Sequence, residues 1–146
     1  MSNLDDNKAV VRSFLSAADR HDRDAALALL HPDHELEYPG NDTTMNREAH
    51  WRLVASYHEA FADMVHRPDI QVAEGDRVVT RGTIFGTHTG PLQGMPATGR
   101  STEVQFMNMA RIVDGKICGL FSLLDTASLQ KQLGLDDVLY RDADNH

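Results

Sequence analysis

Apolar residues in the first half of the chain recur with the period of an α-helix. Within residues 4–19 they share one helical face: Ala9, Val10, Phe14, Leu15 and Ala18. A second helix is predicted over about residues 22–30, because Pro32 prevents its continuation. A third is predicted over residues 43–64, with Thr44 in its N-cap region and one apolar stripe: Val54, Tyr57, Phe61 and Met64.

After the third helix the pattern alternates as in β-strands. Residues 68–88 predict two strands around a turn at Gly75. Residues 101–125 predict a longer hairpin around a turn at Asp114-Gly115, a residue pair that favours two-residue hairpin turns.

A short strand in residues 33–40 and a closing helical turn in residues 126–135 complete the predicted elements. Helices come first and an antiparallel sheet follows, which indicates an α+β domain. We expect a cone-shaped α+β barrel, with three N-terminal helices packed on a curved, mostly antiparallel sheet that encloses a pocket. The chain is expected to be one domain over residues 1–146, with its core in residues 5–134 and a polar tail in residues 135–146.

Composition and charge narrow the classes of partner. The chain has 41% hydrophobic and 25% charged residues and a formal net charge of −8. An acidic chain repels nucleic acid and anionic membranes, so a small hydrophobic or weakly polar molecule is the expected partner. The longest apolar run, residues 25–30, is too short to cross a bilayer, and the N-terminus shows no secretory signal. We therefore expect a cytoplasmic protein whose single cysteine, Cys118, is a buried and inert thiol.

The segment GTHTGPLQGMPATGR, residues 86–100, connects the two predicted hairpins. It lacks the GxxxxGKS or GxxxxGKT pattern of a phosphate-binding loop, and no helix follows it. Its glycines and prolines fit a connection between two long antiparallel strands. His88 is the residue of this segment with chemical potential, because it either donates a hydrogen bond to a ligand at the pocket mouth or braces the loop.

Four stretches of the chain resemble the SnoaL-like polyketide cyclases, within the nuclear-transport-factor-2-like (ketosteroid-isomerase-like) superfamily. They are AFADM, EGDRVVTRGTIFGTHTGPLQGMPATGR, ARIVDGKICGLFSLLD and TASLQKQLG, and the resemblance extends over about residues 5–134. It implies a cofactor-independent cyclase or isomerase that uses an Asp acid/base on a carbonyl-activated hydrophobic or polycyclic substrate, in an intramolecular aldol step. A non-catalytic binding or dimerisation module of the same fold, and an epoxide hydrolase or dehydratase, stay open as alternatives.

The resemblance places the acid/base carboxylate at Asp125, where the last strand meets the closing helix. From the residues alone, Asp125 alternates with Phe121 and Leu123, so all three should lie on one face. If that face lines the pocket, desolvation raises the affinity of the carboxylate for a proton and suits it to removing an acidic C–H proton. The alternative is structural, since DTAS also reads as a helix start with Asp125 as its N-cap. An Asp125 that points to bulk solvent would not be the base.

The register of the last hairpin decides which residues share a face with Asp125. With a two-residue turn they are Phe121, Asn108, Phe106 and Val104. With a three-residue loop they are Gln105, Met107, Met109 and Arg111. We favour the first register, in which Asn108 binds a substrate carbonyl or orients Asp125, or else is a structural amide. The cyclases that the chain resembles carry a histidine on this strand, whereas VQFMNMARIV has none.

Aromatic side chains are the candidates for the pocket wall, which suits a flat or hydrophobic molecule. They come from helices and strands: Phe14, Tyr38, Trp51, Tyr57, Phe61 and Phe121. The eight histidines define no ligand set, so we expect solvated histidines and no metal.

The outer face of the sheet is a candidate interface. Met107, Met109 and Leu120 are expected there. Large apolar residues on an exposed sheet face usually mark an interface, and relatives often bury this face against a second copy. We therefore predict a homodimer.

Overall fold

The helices and strands follow one another in the predicted order. The computed structural model describes residues 3–135, so the predicted polar tail lies outside the described residues from residue 136 on. The helices are α1 (Asn3–Asp19), α2 (Arg23–Ala28), α3 (Arg47–Ala60) and α4 (Thr126–Gln132). The strands are β1 (Leu36–Glu37), β2 (Val65–Glu74), β3 (Arg77–Thr87), β4 (Ser101–Val113) and β5 (Lys116–Leu124).

The five strands form one mixed sheet in the order β1-β5-β4-β3-β2. Strands β2 to β5 are antiparallel to their neighbours, and β1 is parallel to β5. Along β4 every second residue is buried, from Thr102 to Ala110, while the residues between them are exposed. We call the buried side, on which the helices pack, the inner face, and the opposite side the outer face. The predicted α+β class is confirmed.

Helix α3 begins later than predicted, because Asn46 rather than Thr44 is its N-cap. The Asn46 side chain accepts a hydrogen bond from the backbone N–H of Ala49 at 2.9 Å, which satisfies one of the free N–H groups of the first turn. The helix ends at Ala60. Within residues 3–135, none of the helices has the length and apolar character needed to cross a bilayer.

Two apolar clusters hold the helices to the sheet. The main core joins α1 and α2 to the inner face, with Phe14, Leu30 and Ile117 among its buried members. A smaller cluster at the end of α3 consists of Ala60, Phe61, Met64 and Leu133. Leu92 and Met95 pack against it from residues 88–100, which join β3 to β4 and are called the long loop below. The loop is therefore anchored by its own apolar side chains.

The last hairpin contains a β-bulge that the sequence pattern did not predict. Its turn has two residues, as favoured, and pairs Val113 with Lys116. One step further, however, Ile112 pairs with Ile117 while Arg111 pairs with Gly119, so Cys118 is an extra residue on β5. Ile117 is held from the other side as well, because its backbone bonds to Leu29 and His31 at 2.8 and 2.9 Å. Beyond the bulge, every side chain of β5 faces opposite to the regular register.

Candidate active site

A cavity of about 330 Å³ lies between the inner face of the sheet and helices α1, α3 and α4. Its wall is mainly apolar. Of the residues expected to line a pocket, the structure places five in this wall: Phe14, Tyr38, Tyr57, Phe61 and Asn108. The volume and the apolar wall are typical of a site for a small organic ligand. That these residues contact a substrate remains a prediction.

Three other candidates lie outside the cavity wall, and for Phe121 and Trp51 the expected placement is wrong. Phe121 pairs with Met109 on the outer face, because the bulge reversed its direction. Trp51 is half-buried and packs against the main core instead of the cavity. His88 is fully buried, accepts a hydrogen bond from the Thr98 backbone N–H at 3.1 Å, and stacks on Phe61 at 5.2 Å between ring centroids. It braces the long loop, which is the second of the two roles expected for it.

Asp125 also lies outside the cavity. Its backbone N–H donates to the Gln105 carbonyl at 3.0 Å, which places it on the outer face and shows that the register favoured from the sequence is wrong. Its side chain is exposed and accepts a hydrogen bond from the Ser128 backbone N–H at 3.0 Å, so Asp125 is the N-cap of α4. The structure thus agrees with the alternative interpretation, in which Asp125 starts the closing helix. Among the described residues, no Asp or Glu lines the cavity.

The polar part of the cavity wall centres on a cross-strand pair, Asn108 and Ser122. Asn108 is only 5% exposed, yet its Oδ1 atom has no hydrogen-bond partner among the described residues. An unpaired buried amide oxygen costs about 1–3 kcal/mol, a cost that a ligand group bonded to it would remove. Ser122 is a residue that the sequence analysis missed, since the regular register turned it outward.

Four of the histidines are buried and not solvated as expected: His34, His50, His58 and His88. His34 Nε2 and His50 Nδ1 are 3.0 Å apart and share one hydrogen bond, and His50 lines the cavity. Burial lowers the pKa of His34 to about 4, and burial together with His34 lowers the pKa of His50 to about 3. Both rings are therefore neutral at neutral pH.

A histidine–carboxylate pair, His66 and Asp19, joins β2 to the end of α1 at the cavity wall. His66 Nδ1 lies 2.6 Å from Asp19 Oδ1, and the His66 backbone N–H donates to Oδ2 at 2.8 Å. The side chains are 15% and 14% exposed, and His66 is part of the wall. The alternation of β2 could have indicated that His66 faces inward, but no local pattern connects it with Asp19.

No group of three or more His, Cys, Asp or Glu side chains in residues 3–135 is arranged to hold a metal ion.

A model of the SnoaL-like polyketide cyclase family matches residues 8–133. The chain belongs to this family. It is 33% identical over 132 residues to aklanonic acid methyl ester cyclase DnrD of Streptomyces peucetius, covering 86% of this chain and 88% of DnrD. The structure of IdmH from Streptomyces antibioticus is similar with a TM-score of 0.81 at 29% identity, covering 88% of this chain and 98% of IdmH. TsrD from Streptomyces laurentii gives a TM-score of 0.78 at 27% identity, covering 89% and 96%.

This SnoaL-like chain departs from the site that its family resemblance implied. The carboxylate expected of the family at the end of β5 caps a helix on the outer face, and β4 carries an amide, Asn108, in place of a histidine. The polar groups in the mainly apolar wall of this family member are therefore neutral side chains, such as Asn108 and Ser122, and two histidines, of which His66 is paired with a carboxylate.

Proposed function

We propose that this protein closes a ring in a hydrophobic, polycyclic substrate that carries activated carbonyl groups, by a cofactor-independent intramolecular aldol step. The observation that carries the proposal is Asn108, a buried amide with an unpartnered Oδ1 in a mainly apolar cavity. The relative DnrD is named as a cyclase of aklanonic acid methyl ester, which supports a substrate of that class.

The polar groups of the wall suit the charge that develops in such a reaction. Removing a proton from a carbon between two carbonyls leaves an enolate, whose negative oxygen needs hydrogen-bond donors in a water-poor site. Asn108 and Ser122 lie side by side on neighbouring strands, where the Nδ2 group of Asn108 and the hydroxyl of Ser122 can donate to that oxygen. The unpartnered Oδ1 of Asn108 can accept a hydrogen bond from a hydroxyl group of the substrate. Since both side chains are neutral, they bind a carbonyl without the cost of burying a charge.

Turnover should depend on Asn108 and not on Asp125. We expect the wild-type protein to convert aklanonic acid methyl ester, or another polycyclic 1,3-dicarbonyl ester, into a ring-closed isomer of equal mass. Asn108→Leu should lower kcat/KM about 100-fold, because the enolate loses a donor. Asp125→Asn should keep kcat/KM within about twofold of the wild-type value, because an exposed amide takes over the N-cap role of an exposed carboxylate. Chromatography with mass detection measures both.

Two outcomes would contradict this function. If the protein binds these esters but turns over neither aklanonic acid methyl ester nor another polycyclic 1,3-dicarbonyl ester, the chain is a binding module of the same fold. If Asp125→Asn abolishes turnover while the thermal unfolding midpoint is unchanged, then the family carboxylate acts despite its position on the outer face.

We also propose that the protein is a homodimer formed through the outer face. A row of apolar side chains crosses four strands there: Val72, Val79, Met109 and Phe121. Met107 and Leu123 pair in the next row and are 43% and 42% exposed. A second copy would remove this continuous apolar strip from water. Leu120, expected on this face, is instead buried on the inner face opposite Ala110, again because of the bulge.

Light scattering at about 10 μM should give twice the mass of one chain. Met109→Lys should shift the mass to that of a monomer, because the cation would be buried in an apolar contact. The control is Ser13→Lys, which also exchanges an exposed neutral side chain for a cation but lies on α1, which packs on the inner face. A monomeric wild-type protein would refute the dimer.

A further inference from the structure

The proposed ring closure needs a base, and the described cavity wall contains no carboxylate. We propose that His66, oriented by Asp19, is the general base that removes the substrate proton. This inference rests on the proposed function and deepens it, because it names the residue that starts the reaction. His66 would be the catalytic residue, and Asp19 the positioning residue.

The contact with Asp19 determines which nitrogen of His66 is free. A carboxylate accepts hydrogen bonds but has no proton to donate, so the proton between Nδ1 and Oδ1 belongs to His66. The lone pair of the neutral ring is then on Nε2. Among the described residues Nε2 has no hydrogen-bond partner, and the ring forms part of the cavity wall. The free nitrogen is thus the one available to a substrate.

Two further contacts fix the direction of the His66 ring. The second oxygen of Asp19 accepts the His66 backbone N–H at 2.8 Å, so the carboxylate holds both the main chain and the side chain of the same residue. Phe106 meets the imidazole edge-on, at 5.5 Å between centroids and an interplanar angle of 78°. A base that is held in this way needs little reorganisation when the substrate binds.

The other titratable groups of the cavity are less suited to this role. His50 has a pKa of about 3, because it is buried beside His34, so it is too weak a base to hold a proton taken from carbon. Its Nδ1 is already engaged with His34. Burial raises the pKa of Tyr57, which keeps that phenol protonated. His66 is the cavity histidine with a carboxylate partner to stabilise the imidazolium that forms.

The proposed step balances without an oxidant or a cofactor. His66 Nε2 takes a proton from the carbon between two carbonyls, and the electron pair of the broken C–H bond becomes the enolate. The enolate carbon attacks a second carbonyl carbon of the same molecule and forms the new C–C bond. The electron pair of that C=O bond moves to its oxygen, which takes the proton back from Nε2. Substrate and product are isomers, and His66 returns to its neutral state.

Two other titratable side chains, His58 and His21, belong to the same cluster as the pair. His58 of α3 lies close enough to interact with both Asp19 and His66, and its ring stacks on that of His21 at 3.8 Å between centroids. Burial is the main cause that lowers the pKa of His58, and His21 adds to it. His58 is therefore neutral at neutral pH and adds no positive charge beside His66. His21, which is exposed, offers a control position in the same cluster.

The test separates proton removal from ring closure by using two probes. One is aklanonic acid methyl ester, or another polycyclic 1,3-dicarbonyl ester that can cyclise. The other is a 1,3-dicarbonyl ester of similar size that lacks the further carbonyl group which the enolate attacks. With the second probe in heavy water, we expect the wild-type protein to catalyse exchange of the acidic C–H for deuterium, measured by NMR. His66→Gln should slow both this exchange and the cyclisation about 100-fold or more, while the dissociation constant of the probe changes less than threefold.

Asp19→Asn tests the positioning role. We expect kcat to fall about 10- to 100-fold with KM within twofold, because Asp19 lies behind His66. Asp19→Glu should recover part of kcat. His21→Gln should leave both rates within twofold, and circular dichroism confirms that each variant is folded.

The outcomes distinguish this inference from the proposed function. Exchange by the wild-type protein that His66→Gln loses, without any ring closure, refutes the cyclase and supports the base. Ring closure that persists in His66→Gln refutes the base and leaves the cyclase intact. A wild-type protein that binds the second probe without exchanging its proton also refutes the base.

Discussion

Acidification from pH 7 to pH 4.5 is expected to lower the free energy of unfolding by about 5 kcal/mol. The cause is the buried pair of His34 and His50, whose pKa values fall from 6.5 to about 4 and about 3 on folding. Between those values and 6.5 the unfolded chain binds more protons than the folded chain. The stability that the pair contributes is therefore complete above about pH 6.5 and is lost as the pH falls toward 4.

Urea unfolding followed by circular dichroism at several pH values measures this effect. The double variant His34→Leu with His50→Leu removes both titrating rings, so its free energy of unfolding should fall with pH less than half as steeply. His58 keeps a smaller dependence of the same sign, because burial lowers its pKa too. His21→Gln changes an exposed histidine and should follow the wild-type curve. An unchanged slope in the double variant would contradict the explanation.

The second large effect is expected at Gly90, where Gly90→Ala should cost about 3 kcal/mol. Gly90 lies where the long loop crosses the end of α3, and a Cβ atom there would overlap the carbonyl group of Glu59. That carbonyl is backbone and cannot move aside like a flexible side chain. The loop would have to lift away, which would break the hydrogen bonds from the Thr89 and Gly90 N–H groups to Ala60, at 2.9 and 3.1 Å.

Gly119→Ala is the matched control. Gly119 lies in β5, and the nearest atom to a Cβ built there is the Cβ of Arg111 at 4.0 Å, which is ordinary contact. Because alanine loses less backbone freedom than glycine on folding, this variant should be neutral or more stable by about 0.5 kcal/mol. Thermal unfolding measures both variants. Equal midpoints for them would show that the contact of Gly90 with α3 carries little of the stability.

The order of helices and strands could be predicted from the sequence because each element depends on the spacing of apolar residues and on turn residues within a short segment. Helical spacing placed α1 within two residues of its observed bounds, and Asp114-Gly115 identified the turn of the last hairpin, where both residues have positive φ angles of 54° and 72°. Such turns are set by the residues within them. The bulge at Cys118 depends instead on Leu29 and His31, which are distant in sequence and bond to Ile117.

Only those parts of the candidate site that follow from a local pattern could be predicted from the sequence. Asn108 lies far enough along β4 that strand alternation alone indicates its inward direction. The pairs His66–Asp19 and His34–His50 join residues 47 and 16 positions apart, so only the packed structure brings them together. Asp125 shows the opposite case, since a local N-cap pattern and a family expectation competed, and the register set by distant residues favoured the N-cap.

The bulge has a consequence for what one strand can encode. Beyond Cys118, β5 carries two interleaved sets of side chains, and both are apolar enough to form a cavity wall. Leu120, Ser122 and Leu124 pair with the inward residues of β4, while Phe121, Leu123 and Asp125 form the other set, of which Leu123 also reaches the cavity. The sets differ mainly in their polar member, a hydroxyl in one and a carboxylate in the other. The unpaired residue Cys118 therefore determines which polar group of the strand, Ser122 or Asp125, faces the cavity.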